Sequence, residues 1–106
     1  MSKEKRLRDL IQQGDCVIAP GAYDALTARL IEQADFSCVY MTGGGTSSSF
    51  GYPDYGLLTM SEMVENAGRI VDAVDLPVIS DADNGYGNEL NVYRTIQAFE
   101  KAGVAG

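Results

Sequence analysis

Short apolar runs alternate with segments of helical periodicity along this chain, and this alternation limits the folds it can adopt. The apolar runs are residues 16–19, 36–41 and 78–81, and a helical pattern separates each run from the next. Strands separated by helices run parallel, because each crossover returns the chain to the same edge of the sheet. Continuous apolar runs are typical of strands covered on both faces. The sequence therefore predicts an α/β fold with a parallel sheet.

Four segments carry the helical pattern. Residues 4–13 place apolar side chains on one face, and a second helix starts at a capping Asp24 and runs to about residue 34. Thr59 and Glu62 form a capping box that opens a strongly periodic helix ending at Val74. The last helix starts at residue 88 or 90 and ends at Lys101. Residues 104–106 then read as the start of a fourth strand.

Two glycine-rich segments, residues 42–58 and 82–88, follow predicted strands. The first shows no periodicity, so we expect no regular element in it, and irregular segments of this length are usually functional or disordered. Both segments follow strands, which places them at the strands' carboxyl ends. Parallel α/β proteins build their sites at that edge of the sheet.

Size and charge exclude several classes of function. The chain has 106 residues, enough for one domain, with 15 acidic and 8 basic side chains and a net charge of −7. Nucleic acids and anionic membranes select concentrated positive surface, so neither is an expected partner. No apolar run approaches the ~20 residues of a membrane helix, and the charged start does not resemble a secretory signal. We expect a cytoplasmic protein.

The cysteine and histidine content restricts the chemistry further. The chain has no histidine, and its two cysteines, Cys16 and Cys38, lie in separate apolar runs. A zinc site and a Cys–His or Ser–His catalytic pair are therefore not expected. Both cysteines are predicted to be buried, reduced thiols.

Asp81 and Asp83 lie where the third apolar run meets a glycine-rich loop. If the extended backbone continues through Ala82, both carboxylates point to the same side and repel each other unless a cation lies between them. Oxygen ligands without nearby histidine or cysteine favour Mg²⁺, or Mn²⁺, and an aspartate pair suffices because Mg²⁺ keeps several waters. The alternative is that one aspartate caps the loop and the other is solvated.

Further candidates come from the first glycine-rich segment. The backbone N–H groups of residues 42–45 (Thr-Gly-Gly-Gly) can bind a carboxylate or form a simple turn, and the segment lacks the ending of a phosphate-binding loop. Asp54 can reach over the site as an acid, base or orienting group, or belong to a Pro-Asp turn. Tyr40 either points its hydroxyl group into the mouth of the site or packs its ring in the core. Asn91 and Arg94 are most simply helix cap or surface residues.

Five segments together resemble the isocitrate lyase/phosphoenolpyruvate mutase superfamily, especially its methylisocitrate lyase-like branch. They are residues 19–24 (APGAYD), 40–45 (YMTGGG), 51–59 (GYPDYGLLT), 81–87 (DADNGYG) and 91–95 (NVYRT). Their order matches the family, and the likeness covers residues 15–106. Thr42 stands where many members have serine, which preserves the hydroxyl group.

The resemblance implies the first three to four β/α units of a (β/α)8 barrel, with residues 1–106 as the N-terminal part of one domain. It implies a small 2-oxo or 2-hydroxy carboxylate substrate and a Mg²⁺ ion held by Asp81 and Asp83. Tyr40, Thr42, Gly43 and Gly44 would bind the substrate, with Asp81 also in contact with it, and Asp54 would be catalytic. The family's typical reaction makes or breaks a C–C bond beside a carboxylate through an enolate, in a homo-oligomer of tetramer type.

The resemblance also implies groups that lie beyond Gly106, namely an acidic residue after strand four and a Lys-Arg-Cys-Gly-His loop. Without them a lyase is not distinguished from a phosphonomutase, a hydrolase or an oxaloacetate decarboxylase. A non-catalytic carboxylate- or metal-binding module is a further alternative. We expect a fragment: these 106 residues alone should show no turnover and at most weak metal binding.

Overall fold

The computed structural model describes all residues from Met1 to Gly106. Five helices and three strands follow one another along the chain, in the order α1, β1, α2, β2, α3, α4, β3, α5. Their bounds are α1 Lys3–Gln12, β1 Gly21–Ala22, α2 Ala25–Gln33, β2 Val39–Met41, α3 Gly43–Ser49, α4 Met60–Ala73, β3 Val78–Ser80 and α5 Glu89–Ala102. No helix has the length and apolar character that a bilayer crossing requires.

The three strands form one parallel sheet in the order β1-β2-β3. Tyr40 is the centre of the register, because it lies opposite Gly21 on one side and Ile79 on the other. The predicted parallel α/β architecture is therefore confirmed. The order also brings the carboxyl ends of all three strands, and the segments that follow them, to one edge.

The core lies between the sheet and α4. Val39, Met41 and Val78 of the sheet are fully buried, and the apolar stripe of α4 packs on them through Met63, Ala67 and Ile70. The helix begins with the predicted capping box, in which the Thr59 hydroxyl accepts from the Glu62 N–H at 3.2 Å. The prediction for α4 is confirmed because capping and periodicity indicate the same element.

Strand β1 differs from its prediction. Pairing starts only at Pro20, whose carbonyl accepts from the Tyr40 N–H at 2.9 Å, and residues 16–19 form no ladder. The reason is that β2 begins at Val39 rather than at residue 36, so the segment before Pro20 has no strand beside it. Cys16 is consequently exposed, and the prediction that it is buried is wrong, whereas Cys38 is a buried free thiol as predicted.

Helix α3 was not expected, because its sequence is GGGTSSS and glycine and serine are weak helix formers. Tertiary contacts outweigh that preference. Thr46 is fully buried, and its hydroxyl donates to the Thr42 carbonyl at 2.7 Å. Asn66 of α4, itself buried, donates to the Thr46 hydroxyl at 3.3 Å. The irregular segment is thus shorter than predicted and covers residues 50–58.

The end of the chain extends the sheet beyond β3. Ala105 donates to the Val78 carbonyl at 2.8 Å, and Ser80 donates to the Gly106 carbonyl at 2.9 Å. These two bonds lie where the fourth strand was predicted, although residues 104–106 do not form a regular strand. The edge of the sheet is therefore paired at this point only by a short segment.

Helix α1 closes the opposite end of the molecule through Lys3. Its ammonium group donates to the carbonyls of Val71 at 3.2 Å and Val74 at 2.8 Å, at the end of α4. Helix α4 has no basic residue in its own last turn. Lys3 therefore supplies the positive charge that stabilises the carboxyl end of a helix.

Replacing Lys3 by methionine should lower the free energy of unfolding by about 1 kcal/mol, because two carbonyls of α4 lose a charged donor. Urea unfolding of the 106-residue chain measures this loss. Lys5→Met is the matched control, since Lys5 makes only an exposed ion pair with Asp9 on the same helix. Equal losses in the two variants would contradict this role of Lys3.

Candidate metal and carboxylate site

The predicted site residues meet at the carboxyl edge of the sheet. Tyr40 lies on β2, Thr42 caps the helix that follows β2, and Asp81 comes directly after β3. The Asp81 N–H donates to the Met41 carbonyl at 3.1 Å, which continues the β2–β3 ladder to the edge. Parallel pairing therefore brings together two segments that are about 40 residues apart in the sequence.

Asp81 lies directly against Gly43. A Cβ atom at Gly43 would be 3.1 Å from Asp81 Cγ and would overlap its carboxylate oxygen Oδ2. Only glycine fits, because no other residue leaves this space to the carboxylate. Gly43 is buried, and as the first residue of α3 its N–H has no acceptor one turn earlier.

The loop after Asp81 turns sharply rather than continuing the strand. Asp83 has φ +44°, and its N–H donates to Asp81 Oδ1 at 2.9 Å. The expectation of an extended backbone through this pair is therefore wrong, because Asp81 caps the turn with one carboxylate oxygen. Asp81 Oδ2 is left for another partner, so the capping role and the ligand role are compatible.

Contacts with α5 fix the conformation of the loop that follows Asp81. The Thr95 hydroxyl is buried and donates to the Gly85 carbonyl at 2.8 Å. Asn88 caps α5, and Asn91 accepts from the Asn88 N–H at 3.0 Å, which confirms Asn91 as a cap residue. Gly85, with φ +89°, packs against Val92 without room for a side chain. Arg94 is exposed on the helix surface, as expected.

Asp54 reaches the site from the irregular segment. Its Oδ2 lies 3.0 Å from the position that a Cβ atom of Gly44 would occupy. Asp83 Oδ2 lies 3.9 Å from the equivalent position at Gly56 in the same segment. An open cleft of ≈ 600 Å³ lies between this segment and the loop after β3, and Asp54, Asp83 and Tyr86 are among the residues that line it.

Three carboxylates therefore share one site without a compensating side-chain charge. Partial desolvation raises the pKa of Asp83, although the residue is exposed overall, and the charges of Asp81 and then Asp54 raise it further. Burial also raises the pKa of Tyr40, followed by the charge of Asp81. None of the three ion pairs in the chain involves these aspartates. The structure thus brings Tyr40, Asp54, Asp81 and Asp83 within electrostatic reach of one another.

The donor set fits a hard divalent cation. Its side-chain groups are oxygens, and like charges held together are relieved by a cation between them. No three acidic or thiol side chains form a complete ligand group around one point. Asp81 and Asp83 would hold Mg²⁺ as a pair, with waters and a ligand completing the shell, as is usual for this ion.

Comparison with known proteins is consistent with this geometry. The family model described as phosphoenolpyruvate phosphomutase matches residues 7–106. The chain belongs to the phosphoenolpyruvate phosphomutase family. The expected superfamily, phosphoenolpyruvate mutase/isocitrate lyase, is the one named for a 2,3-dimethylmalate lyase structure that superposes with a TM-score of 0.89 at 41% identity, over 99% of this chain and 38% of that chain. The resemblance predicted from the sequence is confirmed.

Relatives within the family are named for different reactions. The 2,3-dimethylmalate lyase of Eubacterium barkeri is 53% identical over 99% of this chain and 37% of its own length. Phosphonopyruvate hydrolase, solved with oxalate and Mg²⁺, superposes with a TM-score of 0.95 at 36% identity, over 98% of this chain and 37% of that chain. The chain thus spans little more than a third of these relatives.

Two residues of the site were not singled out by the sequence. Thr95 lies in the apolar stripe of α5, where a lone threonine gives no signal of its hydrogen bond to a loop ten residues earlier. Tyr86, between two glycines, has φ +62° and packs on the core. A bulky residue in the left-handed region is a signal of imposed geometry, but it is visible only in the structure.

Gly43→Ala should destabilise the chain by roughly 1–3 kcal/mol, because the new methyl group displaces Asp81 from a packed position. Gly68→Ala is the matched control. Gly68 lies inside α4 with its nearest neighbour 3.9 Å from the added carbon, so alanine should stabilise by roughly 0.5–1 kcal/mol. Thermal unfolding compares the two variants, and a neutral Gly43→Ala would refute the close contact.

Asp83→Asn should stabilise the metal-free chain at neutral pH. The folded-state pKa of Asp83 is raised, so its charged form costs stability once the pH exceeds that pKa, and the cost disappears at low pH. Asp83 is exposed, so we expect only roughly 0.2–0.5 kcal/mol. Urea unfolding at about pH 7 and pH 4 should give a difference that shrinks on acidification, and a destabilised variant at neutral pH would contradict the repulsion.

Proposed function

We propose that this chain forms the first units of a (β/α)8 barrel that acts as a magnesium-dependent carbon–carbon lyase. The substrate class is a small 2-hydroxy or 2-oxo carboxylic acid. The observation that carries the proposal is the convergence of Asp54, Asp81 and Asp83 at the carboxyl edge of a parallel sheet, with no cationic side chain among them. Lyase names among the relatives support the reaction class.

The negative charge of the site favours a bound cation. A carboxylate substrate that approaches three aspartates meets repulsion, which a divalent ion held by Asp81 and Asp83 would largely offset. When bound, the ion would act as a Lewis acid that stabilises an enolate-like oxyanion. Mn²⁺ has the same preference for oxygen ligands and should substitute for Mg²⁺.

The substrate carboxylate would bind at the start of α3. The N–H groups of Gly43 and Gly44 have no acceptor within the helix, and the absence of side chains allows close approach. The Thr42 hydroxyl accepts from Gly45 at 3.1 Å, which leaves its own proton available to donate. The Tyr40 phenol would also serve as a donor, because phenols are protonated at neutral pH and burial raises the pKa of this one further.

Asp54 is the candidate for proton transfer. Its carboxylate lies over Gly44, beside the proposed carboxylate position, on an exposed segment. A carboxylate in this position would accept a proton from a substrate hydroxyl group or orient the group that does so. A homo-oligomer of tetramer type is the assembly that we propose for such an enzyme.

A second candidate is a reaction at a P–C bond, as in a phosphonomutase or phosphonate hydrolase. The family model's description and the named phosphonopyruvate hydrolase favour it, because those relatives match the same residues of this chain. The two reactions share a metal, a carboxylate and an enolate-like oxyanion. The residues within this chain would therefore have the same roles in both.

The test is a hybrid in which residues 1–106 replace the matching segment of the E. barkeri lyase. We expect the hybrid to cleave 2,3-dimethylmalate with Mg²⁺, whereas the 106-residue chain alone shows no turnover. Asp81→Asn and Asp83→Asn should each lower kcat/KM by roughly 100-fold or more, on the scale of losing one group that stabilises an oxyanion. Asp72→Asn, on the exposed face of α4, is the control.

The results of the hybrid experiment distinguish the lyase reaction, the P–C reaction and a non-catalytic binding module. A hybrid that keeps its activity in the Asp81 and Asp83 variants would refute the metal role of these residues. A folded hybrid that binds Mg²⁺ and cleaves phosphonopyruvate but not the malate would favour the P–C reaction. Binding without any turnover would favour a non-catalytic carboxylate- or metal-binding module.

A further inference from the structure

The Tyr86 hydroxyl is the one buried side-chain oxygen or nitrogen in the chain without a hydrogen-bond partner. Buried hydroxyl groups are nearly always paired, because removing them from water without a partner costs free energy. An exception at a candidate site needs an explanation in terms of that site.

The position of Tyr86 is imposed by its surroundings. Its backbone has φ +62°, which a bulky side chain rarely adopts, and it stands between Gly85 and Gly87, which also have positive φ. The side chain of Tyr86 packs against the hydrophobic core, and the residue also lines the cleft with Asp54 and Asp83. The phenol is therefore held between the core and the carboxylate site.

An acceptor without a donor lies in the same loop. The N–H of Asp83 donates to Asp81 Oδ1, but the carboxylate of Asp83 takes part in no hydrogen bond. The charges of Asp83 and Asp81, after burial, raise the pKa of Tyr86, so both carboxylates are within electrostatic range of the phenol. Asp83 has the larger effect of the two on the pKa of Tyr86. The loop thus contains an unpaired donor and an unpaired acceptor.

We propose that Tyr86 is a positioning residue for the metal site and donates a hydrogen bond to the Asp83 carboxylate when that carboxylate holds the cation. This inference rests on the proposed metal site. Carboxylates that bind metals are generally oriented by such outer hydrogen bonds, and losing one costs 10–100-fold in affinity. Without the cation, repulsion from Asp81 and Asp54 favours a solvated Asp83, which leaves the phenol unpaired.

The test compares Tyr86→Phe with the wild-type chain in two states. Without metal, the variant should be more stable, with a melting midpoint higher by roughly 2–5 °C, because an unpaired buried hydroxyl is removed. The affinity of the variant for Mn²⁺ should be roughly tenfold lower than that of the wild-type chain. Water-proton relaxation measures this affinity, because it detects weak binding of Mn²⁺. Tyr93→Phe, at a tyrosine 70% exposed on α5, should change neither quantity.

A positioning role for Tyr86 predicts that Tyr86→Phe raises the stability of the metal-free chain and lowers its affinity for Mn²⁺. A role in packing alone does not predict this combination. Equal Mn²⁺ affinity in Tyr86→Phe and wild type would overturn the role of Tyr86 and leave the metal site intact. A destabilised metal-free variant would show that the hydroxyl has another partner and would also overturn it. A wild-type chain that binds no Mn²⁺, both alone and in the hybrid enzyme, would overturn the proposed metal site together with this inference.

Discussion

The close contact between the Asp81 carboxylate and Gly43 is the constraint on which the rest of the site depends. It joins the end of β3 to the start of α3, and it exists only because residue 43 has no side chain. The contact holds Asp81 at the edge of the sheet, where one of its oxygens caps the turn to Asp83. Helix α3 can approach this closely because Thr46 and Asn66 bind it to α4.

This arrangement concentrates negative charge at one edge of an already acidic protein. Asp54, Asp81 and Asp83 raise the pKa of neighbouring groups rather than pairing with lysine or arginine. Such a cluster costs stability, and proteins commonly retain costs of this kind at functional sites. The left-handed backbone at Asp83 and Tyr86 is a second cost at the same place. A bound divalent cation would offset the repulsion between the carboxylates and would explain why the left-handed backbone is retained.

The family resemblance, rather than periodicity, implied that Tyr40, Asp54 and the aspartate pair belong to one site. The sequence itself predicted the parallel sheet and helix α4, because periodicity and strand order decide which segments share an edge. It did not predict α3, whose residues favour a loop locally and become helical through burial against α4. Nor did it predict the turn at Asp83 or the unpaired phenol of Tyr86, since both arise from contacts that no local pattern records.

Cation binding by Asp81 and Asp83 is tested most directly by mapping where Mn²⁺ binds on the ¹⁵N-labelled chain. Paramagnetic broadening falls steeply with distance, so even weak binding identifies the residues nearest the ion. If Asp81 and Asp83 hold the ion, the amide signals of Gly43, Gly56 and Asp83 should broaden first, because they surround these two carboxylates. Broadening centred on other acidic surfaces, such as Glu65 and Asp72 of α4, would contradict it.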